Sequence, residues 1–198
     1  MIEPSKAYTV TIIDTKAGNI FSLKACLQRL GCEVMVAKTP AQVVGDRLII
    51  PGQGHFGSVM QQLTTEGWLN FLNQWKSDDK YLLGICVGMQ VFFEQSEESP
   101  GVLGLGWLDG KVKKLNSPKQ PMVGWSSCQF STASFESGMP YFVNSYAIKE
   151  SQQCIATTSY GETFCAAVKL NNLVGFQFHP EKSSHYGSKL VAQALNLS

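Results

Sequence analysis

Residues 81–90 read YLLGICVGMQ, an apolar run that passes through Gly84-x-Cys86-x-Gly88 straight into a segment of helical character. A strand that turns this sharply into a helix crowds the residues two before and two after its apex, and glycine at both places relieves the crowding. The spelling is that of a nucleophile elbow with cysteine in place of serine. At such an apex the helix N-terminus lies beneath the sulfur, where its partial positive charge favours thiolate over thiol. The backbone N–H of Val87 is then free to face a developing oxyanion. The competing reading is a buried core cysteine held between packing glycines.

The flanking sequence repeats the strand–helix alternation. YTVTIID (8–14) reads as a buried strand, and GNIFSLKACLQRLG (18–31) follows with Ile20, Leu23, Leu27 and Leu30 at helical spacing and Gly31 at the C-terminal cap. CEVMVAK is a second strand, Thr39-Pro40 a helix start, and RLIIP (47–51) a third strand. A helix from about Val59 to Trp75 leads back to residues 81–85, and another begins near Gly88. Beyond Pro100 the texture changes to short apolar runs broken by Gly, Asn, Ser and Pro. Asn171-Asn172 between two such runs signals a hairpin, and SSHYGSKLVAQALNL (183–197) closes with a helix. The expected fold is α/β: an open, mostly parallel sheet flanked by helices with added antiparallel β-hairpins, in one domain spanning 1–198.

Composition narrows the function classes. With 198 residues and 44% hydrophobic content, the chain is long enough for one sizeable core. Its 16 Lys and Arg nearly cancel 15 Asp and Glu, and no basic block stands out, which disfavours nucleic acid as a partner. The opening MIEPSKAYTVTIID lacks the layout of a signal peptide, and no apolar run approaches a membrane span. A cytoplasmic protein with no membrane association is expected. The cysteines at 26, 32, 86, 128, 154 and 165 form no CxxC pair, so neither a disulfide framework nor a metal site is expected, and most read as small buried hydrophobes.

A cysteine nucleophile needs a base, and three histidines are available. His185 lies among Ser and Tyr at the last helix and reads as a surface residue. His55 lies in a glycine-rich loop. His179 ends LVGFQFHPE at the C-terminal edge of a strand, where open α/β sheets place their sites. Pro180 stiffens the next turn, and Glu181 is placed to accept the imidazole's second N–H and fix its tautomer. The loop around His55, Gly52-x-Gly54-x-x-Gly57, also spells a dinucleotide fingerprint. It follows the third strand rather than the first, however, and the end of the next strand carries Cys86 where a ribose-binding acid belongs.

The assembled pattern resembles the class I, triad-type glutamine amidotransferases, and within them the HisH family of glutaminase subunits of imidazole glycerol phosphate synthase. The resemblance runs the length of the chain through IDTKAGNIFSL, IIPGQGHFG, GICVGMQ, FEQSEESPGVLGLGWLDGKV, GWSS, YFVNSY and GFQFHPEKSS. It implies a Cys86–His179–Glu181 triad that hydrolyses glutamine without metal or organic cofactor. Gly52-Gln53-Gly54 would form the oxyanion strand, with Val87 giving the second donor. Gln90, Glu98, Gly52 and the backbone around Ser145 and Tyr146 would hold the substrate. The implied partner is a HisF-like (β/α)8-barrel cyclase subunit, in a heterodimer, with interface positions near Ala17–Asn19, Trp125 and Lys182.

Several family positions differ. The usual PGVG reads Pro51-Gly52-Gln53-Gly54, PHMGWN reads 121-PMVGWS-126, and FVHSY reads 142-FVNSY-146. Departures at Gln53, Met122, Ser126 and Asn144 are expected to border the substrate pocket and the partner face. They leave open a second reading, a HisH-like paralogue that passes ammonia through a HisF-like partner to a sugar amidotransferase of surface-polysaccharide synthesis. A non-enzymatic binding module on the same fold and a freestanding hydrolase of γ-glutamyl compounds are further readings. The intact Cys86, His179 and Glu181 argue against the binding module.

Overall fold

A computed structural model describes residues 8–16, 20–117 and 119–197. Its centre is an eight-stranded sheet that takes strands from both halves of the chain. From the first half come β1 (Thr9–Ile13), β2 (Glu33–Ala37), β3 (Arg47–Ile50) and β4 (Tyr81–Ile85). The second half contributes β8 (Gln129–Phe130), β11 (Cys154–Tyr160), β12 (Glu162–Leu170) and β13 (Leu173–Phe176). The spatial order is β2-β1-β3-β4-β13-β12-β11-β8. The first five strands run parallel and the last three attach antiparallel, so the sheet is parallel at its core with hairpins added on one side.

All residues of β3 and β13 are buried, which demands cover on both sheet faces and accounts for their apolar spelling, broken only by Arg47 at the start of β3. Strand β2 lies at the edge, and there Glu33, Met35 and Val36 are exposed. The hairpin signal at Asn171-Asn172 is realised: Leu170 pairs with Leu173, and Asn171 takes φ +53° at the turn. Two smaller sheets lie outside the main one. In one, β10 (Tyr146–Ala147), β6 (Leu108–Lys114) and β5 (Phe93–Ser96) pair in that order; in the other, β7 (Met122–Trp125) pairs antiparallel with β9 (Tyr141–Asn144).

Register decides where chemistry can occur. Ile50 of β3 lies opposite Gly84 of β4, and Ile85 of β4 lies opposite Phe176 of β13. Three parallel strands therefore end side by side. The chain that leaves each of them, at Pro51, Cys86 and Gln177, emerges at one edge of the sheet. This is the carboxyl edge on which open α/β sheets carry ligands.

The helices depart from the sequence pattern in three places, the first being the start at Thr39-Pro40, which gives only a three-residue 3₁₀ turn, Pro40–Gln42. The helix expected from Val59 to Trp75 is two helices, α2 (Phe56–Thr65) and α3 (Trp68–Ser77), after α1 (Ile20–Arg29). The break falls at Gly67, whose φ of +77° is left-handed and ends the first helix. Apolar periodicity continues across the break because both helices bury the same kind of face: Phe56, Val59, Met60 and Leu63 in one, Trp68, Leu72 and Trp75 in the other. The helix after the elbow, α4 (Val87–Gln90), is a single turn, and the polar EQSEES segment enters β5 rather than extending a helix. The last helix, α5 (Ser184–Ala194), forms as its pattern predicts. Of the six thiols, all but Cys154 are buried.

A side chain at Gly67 would meet nothing within 4 Å, so only backbone strain opposes it. Gly67→Ala is expected to lower the unfolding free energy by about 1 kcal/mol, and Gly67→Asn by less, in urea melts. An unchanged midpoint in the alanine variant would show that the break is not held by its left-handed residue.

Candidate active site

Cys86 stands at the turn between β4 and α4 with φ +53° and ψ −111°, a conformation that non-glycine residues rarely adopt. The strain persists because the surroundings overdetermine it. The Cys86 N–H donates to the Phe176 carbonyl at 2.7 Å, while the Cys86 carbonyl accepts from Met89 and Gln90 at 3.0 and 3.1 Å. A methyl on Gly84 would lie 2.4 Å from the Gly88 carbonyl oxygen, and one on Gly88 would lie 2.0 Å from that of Ile50. Both glycines of the elbow are thus required by close packing of backbone on backbone.

The Gly52–Gly54 segment, expected as the oxyanion strand, packs against the elbow just as closely. A Cβ at Gly52 would lie 2.6 Å from the Val87 nitrogen and 2.2 Å from the Gly88 nitrogen. A side chain there would occupy the space in front of the first N–H groups of α4, which have no partner within their own helix. Gly54, two residues on, takes φ +129°. The sulfur itself does not sit over a long helix. One turn supplies little macrodipole, so the charge environment of Cys86 rests on its side-chain neighbours.

Those neighbours come from beyond β13. His179 is held in an extended conformation by a backbone hydrogen bond to Tyr141, its N–H donating to that carbonyl at 2.8 Å. Its Nδ1 lies 2.8 Å from Oε1 of Glu181, and both side chains are buried, at 3% and 6% exposure. Burial pulls the imidazole pKa down, but hydrogen bonding and charge from Cys86 and from Glu181 outweigh it and lift the value to about 9. The ring therefore keeps its proton at neutral pH. His55 and His185 lie elsewhere: His185 is exposed, and exposed His55 pairs through Nδ1 with the Ser99 hydroxyl at 3.1 Å.

Cys86 and His179 share a cavity of about 360 Å³ with Gly52, Gln53, Gly54, Val87, Gln90, Glu98, Ser145 and Tyr146. The structure thus gathers every residue expected at the triad, the oxyanion site and the substrate pocket, with Glu181 behind the histidine. It also specifies what each has to offer. Gln90 is buried, and its Nε2 donates to both the Tyr146 carbonyl and Gln177 Oε1, each at 3.0 Å. Only its Oε1 is left for a ligand. Glu98 Oε2 accepts the Phe56 N–H at 2.7 Å at the start of α2, leaving Oε1 available.

Two residues that the sequence did not single out complete this frame. The Ser99 hydroxyl accepts the Gly57 N–H at 2.9 Å and fixes the chain just past the oxyanion strand. Gln177, fully buried, donates from Nε2 to the Cys86 sulfur at 3.7 Å. The available signal was a lone amide inside the apolar run GFQF, where a polar side chain requires a partner.

Of the interface positions, Trp125 is 63% exposed and stands edge-on to Tyr141 at 4.8 Å, and Lys182 is half-buried. Ala17–Asn19 lie outside the described residues. Of the sequence departures, Gln53 and Asn144 border the cavity as expected, whereas Met122 is buried away from it. Met122 and Asn144 are buried, and Asn144 donates from Nδ2 to the Tyr146 carbonyl at 3.1 Å. Ser126 accepts from the Thr158 hydroxyl, and Gln53 lines the cavity.

The family model for glutamine amidotransferase class-I matches residues 11–196. The imidazole glycerol phosphate synthase subunit HisH of Thermotoga maritima is 39% identical over 196 residues, covering 96% of this chain and 97% of that protein. The subunit of the same name from Bacillus subtilis is 37% identical over 199 residues, covering 93% and 94%. Among solved structures, a glutamine amidotransferase crystal structure aligns with a TM-score of 0.78 at 19% identity over 95% of this chain and 97% of that one. PurLQS from Thermotoga maritima aligns at 0.74 with 15% identity over 96% and 98%. At those identities the two structures bear on the fold alone.

A histidine whose pKa rises from 6.5 to about 9 on folding binds its proton more tightly in the folded state. Its contribution to stability is present in full below pH 6.5 and is lost as the pH climbs through about 9. Urea midpoints are expected to fall across that window. In Cys86→Ala the His179 ring, followed by NMR, should titrate at lower pH and the decline should shift with it. An unmoved ring titration would break the link between the two side chains.

Proposed function

This chain belongs to the class-I glutamine amidotransferases and, within them, to the HisH family, and from that footing we propose that it is the glutaminase subunit of imidazole glycerol phosphate synthase. It hydrolyses glutamine to glutamate and passes the ammonia to a partner subunit for histidine biosynthesis. The observation that carries the reading is the convergence of Cys86, the His179–Glu181 pair and the Gly52–Gly54 segment on one cavity large enough for an amino acid.

The chemistry follows from the geometry. Glutamine enters with its α-ammonium toward Glu98 Oε1 and Gln90 Oε1, both acceptors. The carbonyls of Ser145 and Tyr146 are already engaged, by the Leu115 N–H at 2.9 Å and by Gln90 and Asn144, so that segment serves the α-carboxylate through N–H groups. The Cys86 thiolate attacks the side-chain carboxamide carbon. The oxygen that gains charge is met by the Val87 N–H and by an N–H of the oxyanion strand, each aimed donor being worth roughly 2.7–4 kcal/mol at the transition state. His179 gives its proton to the departing nitrogen, the C–N bond breaks, and ammonia leaves a glutamyl thioester. The neutral ring then takes a proton from water as the hydroxyl adds to the thioester carbon. Collapse expels the thiolate and releases glutamate. Glu181 fixes the ring tautomer throughout.

Ammonia is protonated and lost in bulk water, so the cavity mouth must open onto a partner. Beside it, β7 presents Val123 at 59% and Trp125 at 63% exposure, and Val143 of the paired β9 lines the cavity. We assign this apolar rim, with Lys182, to a HisF-like (β/α)8-barrel subunit in a cytoplasmic heterodimer. Among the described residues no helix is long and apolar enough to cross a membrane. The paralogue reading finds no favour. The relatives reported above carry the HisH name, and two of the four departures that suggested a changed docking face are buried.

Incubation with a glutamine-like electrophile such as diazo-oxo-norleucine should add mass at Cys86 alone, and Cys86→Ala should abolish hydrolysis while leaving partner binding intact. Modification of another cysteine in preference would overturn the assignment. His179→Ala should lose roughly 10²–10⁴-fold in kcat and His55→Ala far less, because of the two histidines only His179 shares the cavity with Cys86. Equal losses would mean that the base has been misassigned. Trp125→Glu is expected to weaken capture of the barrel subunit by at least tenfold, an aromatic anchor at an interface centre being worth about 2 kcal/mol or more. Unimpaired capture would place the docking face elsewhere.

A further inference from the structure

The triad accounts for His179 and Glu181 but leaves a third polar side chain against the sulfur unexplained. Gln177 is fully buried in the bend that joins β13 to His179, between Phe176 and Phe178, whose rings stack at 4.7 Å. Its backbone N–H donates to the Ala166 carbonyl at 2.9 Å, which fixes the bend. Burying a carboxamide costs on the order of 1–3 kcal/mol unless its hydrogen bonds are made. A purely apolar residue would fill this place at less cost unless the amide has a task.

The orientation of that amide is determined by its neighbours. The Tyr146 carbonyl can only accept, so the Gln90 atom facing it at 3.0 Å is Nε2. That nitrogen's other hydrogen points to Gln177 at 3.0 Å, so the facing Gln177 atom is Oε1. What remains of Gln177, its Nε2 with two hydrogens, faces the Cys86 sulfur at 3.7 Å. A directional chain therefore runs from the Tyr146 carbonyl through Gln90 and Gln177 to the nucleophile, and it delivers a donor.

We propose that Gln177 is a further catalytic residue of the glutaminase reaction, donating its carboxamide N–H to the Cys86 sulfur and stabilising the thiolate before attack and after its release from the thioester. A thiol gains little from such a donor and a thiolate gains substantially, because hydrogen bonds to charged groups are about twice as strong as neutral ones. With only one helical turn after Cys86, the donor does work that a longer helix would otherwise share. The titratable groups that share the cavity are His179, Glu98 and Tyr146, with Glu181 behind the histidine. None of them replaces a neutral donor fixed on the side of the sulfur toward β13.

The proposal rests on Cys86 being the nucleophile, and its readouts are separable from that assignment. In the unmodified protein, the Gln177 side-chain amide resonances should move with pH at the same midpoint as alkylation of Cys86 by iodoacetamide. In Cys86→Ala they should lose that transition. Amide resonances that stay flat through the Cys86 midpoint overturn the proposal. Gln177→Glu keeps the acceptor for Gln90 and Gln177→Met keeps the bulk, and neither offers a fixed neutral N–H. Both should raise the Cys86 alkylation midpoint, slowing alkylation at neutral pH by roughly tenfold, with half-buried Cys154 as the internal reference. In the assembled synthase, kcat should fall with KM little changed. A packing role alone would lower stability and leave the alkylation midpoint where it was, which would also overturn the proposal. Loss of glutamine-analogue labelling at Cys86 would instead fault the nucleophile assignment.

Discussion

The backbone after β3 and the backbone after β4 touch where neither leaves room for a methyl group. The Ile50 carbonyl presses on Gly88, and Gly52 presses on the nitrogens of Val87 and Gly88. Most of the site depends on that contact. It holds Cys86 in its left-handed conformation, because the elbow cannot relax without driving Gly88 into Ile50. It also sets the oxyanion strand beside the first N–H groups of α4. A helical rise of about 1.5 Å per residue then carries Gln90 up behind the nucleophile, one turn on. One glycine after each strand thus joins the expected electrophilic and nucleophilic halves of the site in a single packing contact.

Polar groups in the cavity wall serve two structures at once. Glu98 accepts the first N–H of α2 through one oxygen and turns the other to the cavity, so the carboxylate suited to an ammonium also anchors the helix that follows the oxyanion strand. Gln90 holds the Tyr146 carbonyl and Gln177 with its nitrogen and leaves its oxygen to a ligand. Glu98 thereby ties the cavity wall to the start of α2, just past Gly54, through one short hydrogen bond.

Much of this was legible in the sequence. The elbow spells itself locally, because a strand, two glycines and a helix start lie within ten residues. The HPE triplet carries both partners of the imidazole pair within one short turn. Long apolar runs gave the parallel strands because burial on two faces leaves no alternation to read. What the sequence concealed was set by tertiary contact. Gly67 breaks a helix whose apolar period continues across it, and the short α4 follows from Phe93 entering a strand with Leu108. Gln177 drew no notice in the sequence, since nothing local shows that Cys86 is its neighbour. Met122 and Asn144 sat in segments near the partner face, but which way each points is fixed by the pairing of β7 with β9.

The raised proton affinity of His179 has a consequence for the order of events. Part of what lifts the ring's pKa is its hydrogen bonding and charge interaction with Cys86. Once that sulfur is bonded to carbon it is neutral, and the attraction vanishes. In the proposed reaction, the ring that gave up its proton to ammonia then has less reason to take one back, and it meets the incoming water as a base. When the thioester collapses, the sulfur's charge returns and the ring's appetite for a proton returns with it. The proposed cycle is clocked by where one electron pair resides.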